Sequence, residues 1–354
     1  MSKLIVDVTT IKSIEEHPNA NRLDIATIKG WRSIVPKGEF TKGELVIYVP
    51  PDSVLPSDFI KRFDVGYLKN KHGRVGTVKL RGEYSEGIVL KNMDNLPRGT
   101  NAAEYYRIVK WEPSVFKHQG STTTTYRKHV RGFHRYTGIE NIKNHPDVLE
   151  PGTTVIITEK LHGTNFRAGW VPRHSRGLVK YLDKLLNRHY DFVVGSRRVA
   201  VSTRSKKHDF YGTNVYAAMA KRYELKERIP KGLVVYGEIY GLGIQDLTYG
   251  LNGIDIAFFD IMDTDKKEYF GYGLASKMFD DWKLPKVPFL FIGPWDTNLI
   301  VQYSTGMSAL HADTLREGCV IRPMWESHNS KIGRVILKAI SQEYLTRKKG
   351  TEWH

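Results

Sequence analysis

The sequence holds a single cysteine, Cys319, in 354 residues. One thiol excludes an internal disulfide and a four-cysteine zinc site, and it favours a reducing compartment. No uninterrupted apolar run approaches the roughly 20 residues needed to cross a bilayer. The opening Met1-Ser2-Lys3-Leu4-Ile5-Val6-Asp7 has neither the apolar core nor the cleavage site of a secretory signal. There is no Gly-x-x-x-x-Gly-Lys-Ser/Thr loop and no His-Glu-x-x-His helix, and Gly241-Leu242-Gly243 lacks the third glycine of a dinucleotide-binding turn. The 13 histidines show no paired metal spacing, and Asp263-Thr264-Asp265 reads as a surface turn. These absences set aside disulfide-stapled secreted domains, membrane-spanning chains, P-loop NTPases, zinc proteases and nicotinamide enzymes. The expectation is a soluble protein of the cytoplasm, the host's if the chain is viral.

Acidic residues are also in short supply. Against 38 Asp and Glu stand 54 Lys and Arg, for a net charge of +16 and a pI near 9.6. Such an excess implies a polyanionic partner, most simply nucleic acid; a basic surface kept for solubility is the competing explanation. With 40% hydrophobic and 26% charged residues, the chain is ordinary globular protein, long enough for two domains with separate cores.

Short alternating runs broken by turn residues fill residues 1–110: Leu45-Val46-Ile47-Tyr48-Val49, Gly76-Thr77-Val78-Lys79-Leu80 and Gly87-Ile88-Val89-Leu90. They predict a small β-barrel or sandwich. Residues 111–144 lose that pattern, and Ser121-Thr122-Thr123-Thr124-Thr125 beside Arg127, Lys128, His129 and Arg131 reads as a basic connector, although Trp111, Phe116, Phe133 and Tyr136 could pack on either flank. From 145 to 354 strands and helices mix. Leu178, Tyr181, Leu182, Leu185 and Leu186 recur at helical spacing with Lys180, Lys184 and Arg188 between them, predicting an amphipathic helix whose apolar stripe packs on the core. Val215 to Ile229 and Tyr272 to Trp282 also read as helices.

The most informative stretch is Thr158-Glu159-Lys160-Leu161-His162-Gly163-Thr164-Asn165. Val155 to Glu159 alternates as a strand that delivers Lys160 to its end, Gly163 permits a turn, and Thr164 to Val171 reads as the return strand. A hairpin-tip lysine is ordinarily a solvated charge. Here, other strand-like runs end on chemistry-bearing side chains: Arg197 and Arg198 after Gly195-Ser196, Glu238 in Tyr236-Gly237-Glu238-Ile239-Tyr240-Gly241, Phe259 in Phe258-Phe259-Asp260-Ile261, Glu317 before Gly318-Cys319-Val320-Ile321, and Lys338 in Ile336-Leu337-Lys338-Ala339.

In that order, these motifs resemble the covalent nucleotidyltransferase superfamily of ligases and capping enzymes, and most closely its RNA ligase 2 type, whose nucleophile motif is Lys-x-His-Gly-x-Asn. Lys160, His162, Gly163 and Asn165 match it; DNA ligases and capping enzymes typically carry aspartate where His162 stands. The resemblance runs from Glu159 to Lys338. It implies an α+β chain, with an N-terminal OB-type β-barrel followed by an adenylyltransferase domain of antiparallel sheets flanked by helices. It also implies that Lys160, as the neutral amine, attacks ATP to form a lysyl-adenylate, which requires a pKa well below the roughly 10.4 of free lysine. Glu238 and Glu317 would serve a water-shelled Mg²⁺ or Mn²⁺, and Lys338 would grip the α-phosphate. Phe259 would stack on adenine, His162 and Asn165 would orient ribose and phosphates, and Glu159 and Leu161 would line the nucleotide site. Arg197, or Arg198 one position on, would contact the sugar or the RNA 5′-phosphate. One departure stands out: the family's last motif has a second lysine where this chain has Ile340, with Lys331 or Arg334 as possible substitutes.

Glu16-His17-Pro18-Asn19 and Val78-Lys79-Leu80-Arg81-Gly82-Glu83-Tyr84 resemble tRNA-binding OB-type modules, and an OB domain ahead of the ligase domain is the layout of a nick-sealing clade of RNA ligases. Lys79, Arg81 and Tyr84, with Lys69, Lys71, Arg74 and Tyr67 nearby in sequence, could neutralise phosphates and stack bases; Tyr84 as core and the lysines as solvated charges is the plainer reading. His17-Pro18 reads as a turn. The expected partner is RNA, as a nicked duplex or RNA/DNA hybrid, and the expected state is a monomer. A DNA ligase, a capping enzyme and a noncatalytic RNA-binding protein on the same fold remain alternatives.

Overall fold

A computed structural model describes residues 4–112, 130–175, 177–201, 214–348 and 350. Phe116, the threonine run, Arg127, Lys128 and His129 lie outside these residues. The chain forms two compact units that interleave in sequence: Met1–Pro113 with Ile139–Glu150 and Leu337–Lys348, and Ser114–Gly138 with Pro151–Ile336 and Lys349–His354.

In the first unit, Leu45–Val49 is the central strand, antiparallel to Asp7–Thr10 on one side and Ile88–Lys91 on the other. Its run of consecutive apolar residues is explained by burial on both faces. Val46 and Tyr48 join a core with Trp31, Val35 and Phe40, while Ile47 and Val49 join another with Phe59, Leu68 and Tyr106. Each such side chain contributes about 1.5–3 kcal/mol of transfer free energy. Ser13–Glu16, Leu23–Ile28 and Trp31–Pro36 form a second antiparallel sheet, and Thr77–Leu80 pairs with Glu83–Glu86 as a hairpin. Gly87 links hairpin to core strand at φ +74°, where a Cβ would come within 2.4 Å of the Val49 carbonyl, so no larger residue fits. Ile139–Glu150 belongs here by specific contacts: Lys143 Nζ lies 2.6 Å from a Glu86 carboxylate oxygen, and Trp31 Nε1 donates to Asn144 Oδ1 at 2.9 Å.

The second unit carries ten elements relevant to function: β1 (Thr154–Lys160), β2 (Thr164–Pro172), α1 (Leu178–Leu185), β3 (Tyr190–Ser196), α2 (Val215–Arg222), β4 (Leu233–Gly241), β5 (Ile254–Asp263), α3 (Tyr272–Asp281), β6 (Phe289–Pro294) and β7 (Gly318–Pro323). β1 lies between β6 and β7, antiparallel to both. A second antiparallel sheet runs β3-β2-β4-β5, extended by Ala200–Val201 and Glu268–Tyr269 at its edges. The β2–β5 sheet buries Phe166, Val235 and Phe258 against Tyr216 and Met219 of α2 and Phe279 of α3. Asn214 starts α2 by accepting the Ala217 backbone N–H. The predicted helix from Val215 to Ile229 is divided after α2, because Glu224 turns left-handed at φ 50° before a short helix at Leu225–Arg228. The architecture is α+β, as expected.

The leucine stripe is helical but does not face the core. Leu178, Tyr181 and Leu185 are 83%, 74% and 80% exposed. The buried residue of α1 is Asp183, held by Arg173 at 2.9 Å and by the Ser175 hydroxyl. A 3.6-residue period fixes that a helix has two faces. Which face turns inward is decided by its anchors, and here the anchor is ionic.

Candidate active site

Lys160 ends β1 opposite Gly318, the first residue of β7, so the strand pairing itself brings Glu317 beside the lysine. The Lys160 Nζ and Glu317 Oε1 atoms are 2.6 Å apart. Strand alternation turns Glu159 to the other face. It is fully buried, accepts the Ala309 backbone N–H at 2.8 Å, and lies 3.9 Å from Arg316 Nε. Burial raises its pKa. The other face of β1 is thus occupied by a carboxylate that braces the segment around Ala309.

The turn after Lys160 is held against β4 and the segment that follows it. A Cβ on Gly163 would come within 2.1 Å of the Ile239 carbonyl, so glycine is needed for close backbone approach. Leu161 packs with Tyr240, Tyr249 and Val287. The His162 backbone N–H donates to the Tyr249 hydroxyl at 2.7 Å, and its ring Nε2 lies 2.9 Å from Asp246 Oδ1. Gln245 Nε2 donates to the Gly163 carbonyl at 3.4 Å. Asp246 and Tyr249 were missed in the sequence, although they lie within eight residues after the Tyr236–Gly241 run; their spacing alone gives no hint of what they touch.

β2 and β4 place Asn165 directly across from Glu238. Glu238 is half-buried, and its pKa rises to about 8: burial is the main cause, Glu317 adds to it, and Lys160 and Arg197 oppose it. Arg197, just past β3, is half-buried beside Glu238, with its own pKa lowered by burial, whereas Arg198 is exposed. Three buried polar atoms around this group have no hydrogen-bond partner: Asn165 Oδ1, Arg197 Nη2 and Glu317 Oε2. Unsatisfied buried groups are rare because each costs about 1–3 kcal/mol. Three of them near one lysine leave polar atoms available to a polar ligand. Among the described residues no three His, Cys, Asp or Glu side chains form a metal cluster.

Phe259 is half-buried and packs edge-on to Tyr136, ring centroids 5.0 Å apart. Arg334 is committed elsewhere: it pairs with Asp260 at 2.7 Å and with both Glu326 oxygens, while Lys331 is exposed. Lys338 is half-buried in the first unit, in strand Leu337–Ile340, where it pairs with Asn141.

Also in the first unit, Lys79, Arg81 and Tyr84 share one hairpin. Lys79 Nζ lies 5.0 Å from the Tyr84 ring centroid, and Arg81 sits at the exposed tip at φ 47°. His17 does more than turn the chain: its Nδ1 accepts the Asn19 N–H, leaving Nε2 to donate to the Leu80 carbonyl at 3.2 Å, and Asn19 Nδ2 donates to the Arg81 carbonyl at 3.1 Å. The basic tip is therefore pinned in place. Arg74 is engaged by Asp52 and stacks on Trp111.

A family model described as RNA ligase matches residues 153–340, and one described as an OB-fold domain matches residues 5–92. No curated protein matches the chain. Solved structures similar to it include a Naegleria gruberi RNA ligase mutant with ATP and Mn, 23% identical over 96% of this chain and 98% of that one, with a TM-score of 0.76. A mutant of the same enzyme with AMP and Mn is 22% identical over 96% and 98%, with a TM-score of 0.77. The enzyme with PPi is 23% identical over 97% and 98%, with a TM-score of 0.76. At such identities the structural likeness establishes the fold. The RNA ligase model, however, spans more than half the sequence and covers β1 with Lys160, β4 with Glu238 and the start of β7 beside Glu317. On that match, the chain belongs to the RNA ligase family.

Proposed function

We propose that the protein is an ATP-dependent RNA ligase that joins a 3′-hydroxyl to a 5′-phosphate, with nicks in RNA duplexes or RNA/DNA hybrids as its substrates. The single observation that carries this is Lys160 held 2.6 Å from Glu317, with unsatisfied buried polar atoms of Asn165, Arg197 and Glu317 around it. The similar Naegleria structures hold ATP, AMP or PPi, two of them with Mn, which agrees with nucleotide chemistry.

Lys160 Nζ attacks the α-phosphorus of ATP. A nitrogen–phosphorus bond forms, the bond to pyrophosphate breaks, and Glu317 Oε1 is placed to take the Nζ proton. Arg197 then orients the sugar or the RNA 5′-phosphate, which displaces lysine from the AMP. Attack by the RNA 3′-hydroxyl expels AMP and closes the strand. All three steps are phosphoryl transfers, governed by positioning and charge neutralisation. Glu238 and Glu317, the latter with an unsatisfied buried oxygen, suit Mg²⁺ or Mn²⁺ held through its water shell. When bound, such an ion supplies positive charge that neutralises phosphate and favours the uncharged amine. Phe259 provides the surface on which adenine stacks.

The test is intact-protein mass spectrometry after mixing with ATP or GTP and Mg²⁺ or Mn²⁺, followed by sealing assays on nicked RNA and nicked DNA. An AMP adduct with ATP, and sealing of RNA ends, are expected. A chain that never gains the mass of AMP would falsify the reading, and a GMP adduct or a strict preference for nicked DNA would move it to the capping or DNA ligase branch.

The hairpin of Lys79, Arg81 and Tyr84 is assigned to RNA contact in the first unit. Lys79→Ala with Arg81→Ala is expected to weaken binding of nicked RNA about tenfold at 100 mM salt and to flatten the salt dependence by about two phosphate contacts. Adenylylation of Lys160 stays unchanged. Filter binding across a salt series checks this; an unaltered slope removes the hairpin from the RNA interface.

A further inference from the structure

Phe259 sits where regular strand alternation would not put it. In the β4–β5 pairing, Tyr236 faces Asp260 and Gly237 faces Phe258, which leaves Phe259 as the extra residue of a β-bulge. Bulges re-aim side chains, and a one-residue insertion is held only if something fixes it. On the far edge of β5, the Phe258 N–H donates to the Pro285 carbonyl at 2.8 Å, and the Val287 N–H donates to the Phe258 carbonyl at 3.0 Å. On the bulge itself, Arg322 Nη2 donates to the Phe259 carbonyl at 3.2 Å.

The next residue, Asp260, is fully buried, and its Oδ2 collects three donors: Tyr136 Oη at 2.8 Å, Arg334 Nη1 at 2.7 Å and Arg322 Nη1 at 3.3 Å. Burying a carboxylate with two guanidiniums is a weak route to stability, since desolvation offsets much of the attraction. A satisfied network of this kind does fix geometry. Tyr136 reaches it from a strap that is itself pinned at three points: Phe133 O accepts from Arg167 Nη1 at 2.6 Å, His134 O accepts from Tyr236 Oη at 3.0 Å, and Thr137 N–H donates to Tyr269 Oη at 3.2 Å. The ring that arrives there lies against Phe259 at 66°.

We propose that Tyr136 is a positioning residue for the nucleotide base: its hydroxyl locks Asp260, its ring abuts Phe259, and together they hold the bulge so that the Phe259 ring is set for stacking. This rests on the reading of Phe259 as the adenine platform. Tyr136 touches no reacting atom and acts through its neighbour.

The test follows lysyl-AMP formation against ATP concentration for the full chain and for Tyr136→Phe, Phe259→Ala and the double variant. Tyr136→Phe is expected to raise the half-saturating ATP concentration about 3–10-fold and to keep the maximal rate within about twofold. In the Phe259→Ala background it adds nothing, since the platform it positions is gone. Inhibition by inorganic tripolyphosphate, which has no base, is unchanged. If Tyr136→Phe lowers the melting temperature, the titrations are run for it and for the wild type at one temperature well below its midpoint, where the base-selective loss should persist. Additive effects, an equal loss against tripolyphosphate, or an unchanged half-saturation would each overturn the proposal. A wild-type chain that forms no adduct overturns instead the ligase reading beneath it, so the two failures are distinguishable.

Discussion

Lys160→Ala is expected to abolish the AMP adduct, a loss beyond about 10⁴-fold, because the variant has no amine at the position that attacks the α-phosphorus. The fold should survive. Lys160 is half-buried at a strand end, and its removal takes the ion pair from Glu317. The cost is about 1–3 kcal/mol, that of leaving a part-buried carboxylate without its partner. Lys160→Arg sharpens the result. A guanidinium keeps the positive charge beside Glu317 and Glu238 but cannot lose its proton near neutral pH, so stability is retained while the adduct is still absent. Intact mass with ATP and Mn²⁺, alongside a thermal melt, separates loss of nucleophile from loss of structure. An adduct on Lys160→Ala would place the nucleophile elsewhere.

What could be read from the sequence was whatever depends on local period. Val155 to Glu159 and Thr164 to Val171 alternate, and the strands found are Thr154–Lys160 and Thr164–Pro172. The α1 stripe gave the helix but not its orientation, because the residue that turns it is Asp183 meeting Arg173 and Ser175. Phe259 was legible as a residue type, but the run expected to end on it continues to Asp263, so it lies inside β5. Its bulge was not legible, since a bulge exists only relative to the partner strand and the period-2 pattern of β5 carries no mark of it. Asp246 lies 84 residues from His162, and Tyr136 lies 124 from Asp260; neither pairing has a local signal. The interleaving of the two units is illegible for the same reason, resting on contacts such as the parallel pairing of Glu140–Asn141 with Leu337–Lys338. Sequence favoured Arg197 with Arg198 as the fallback one position on; in the fold Arg197 is half-buried beside Glu238 and Arg198 is exposed. Arg334, a candidate substitute for the lysine absent at position 340, is shown by its partners to be occupied with Asp260 and Glu326.

Glu238→Gln should trade activity for stability, in a pH-dependent way. Burial beside Glu317 raises the Glu238 pKa from 4.5 to about 8. A folded-state pKa above the unfolded one means that the folded chain holds a proton the unfolded chain has already released. The stabilisation is therefore complete below pH 4.5 and is lost as pH rises through 8. Glutamine stays neutral throughout, so the variant escapes that loss. Without nucleotide or metal, Glu238→Gln is expected to melt at about the wild-type temperature at pH 5, and about 2–4 °C higher at pH 9. This corresponds to on the order of 2 kcal/mol once solvent relaxation takes back part of the roughly 1.4 kcal/mol per unit. Adduct formation moves the opposite way, falling about 100-fold or more, because the neutral amide no longer supplies negative charge to a cation and keeps only one acceptor oxygen for ribose hydroxyl protons. Melting curves from pH 5 to 9, paired with adduct rates at pH 8, check both halves. A stability gap that stays constant across that range would mean Glu238 is already ionised in the ligand-free fold, and a variant that charges Lys160 at the wild-type rate would remove Glu238 from the site.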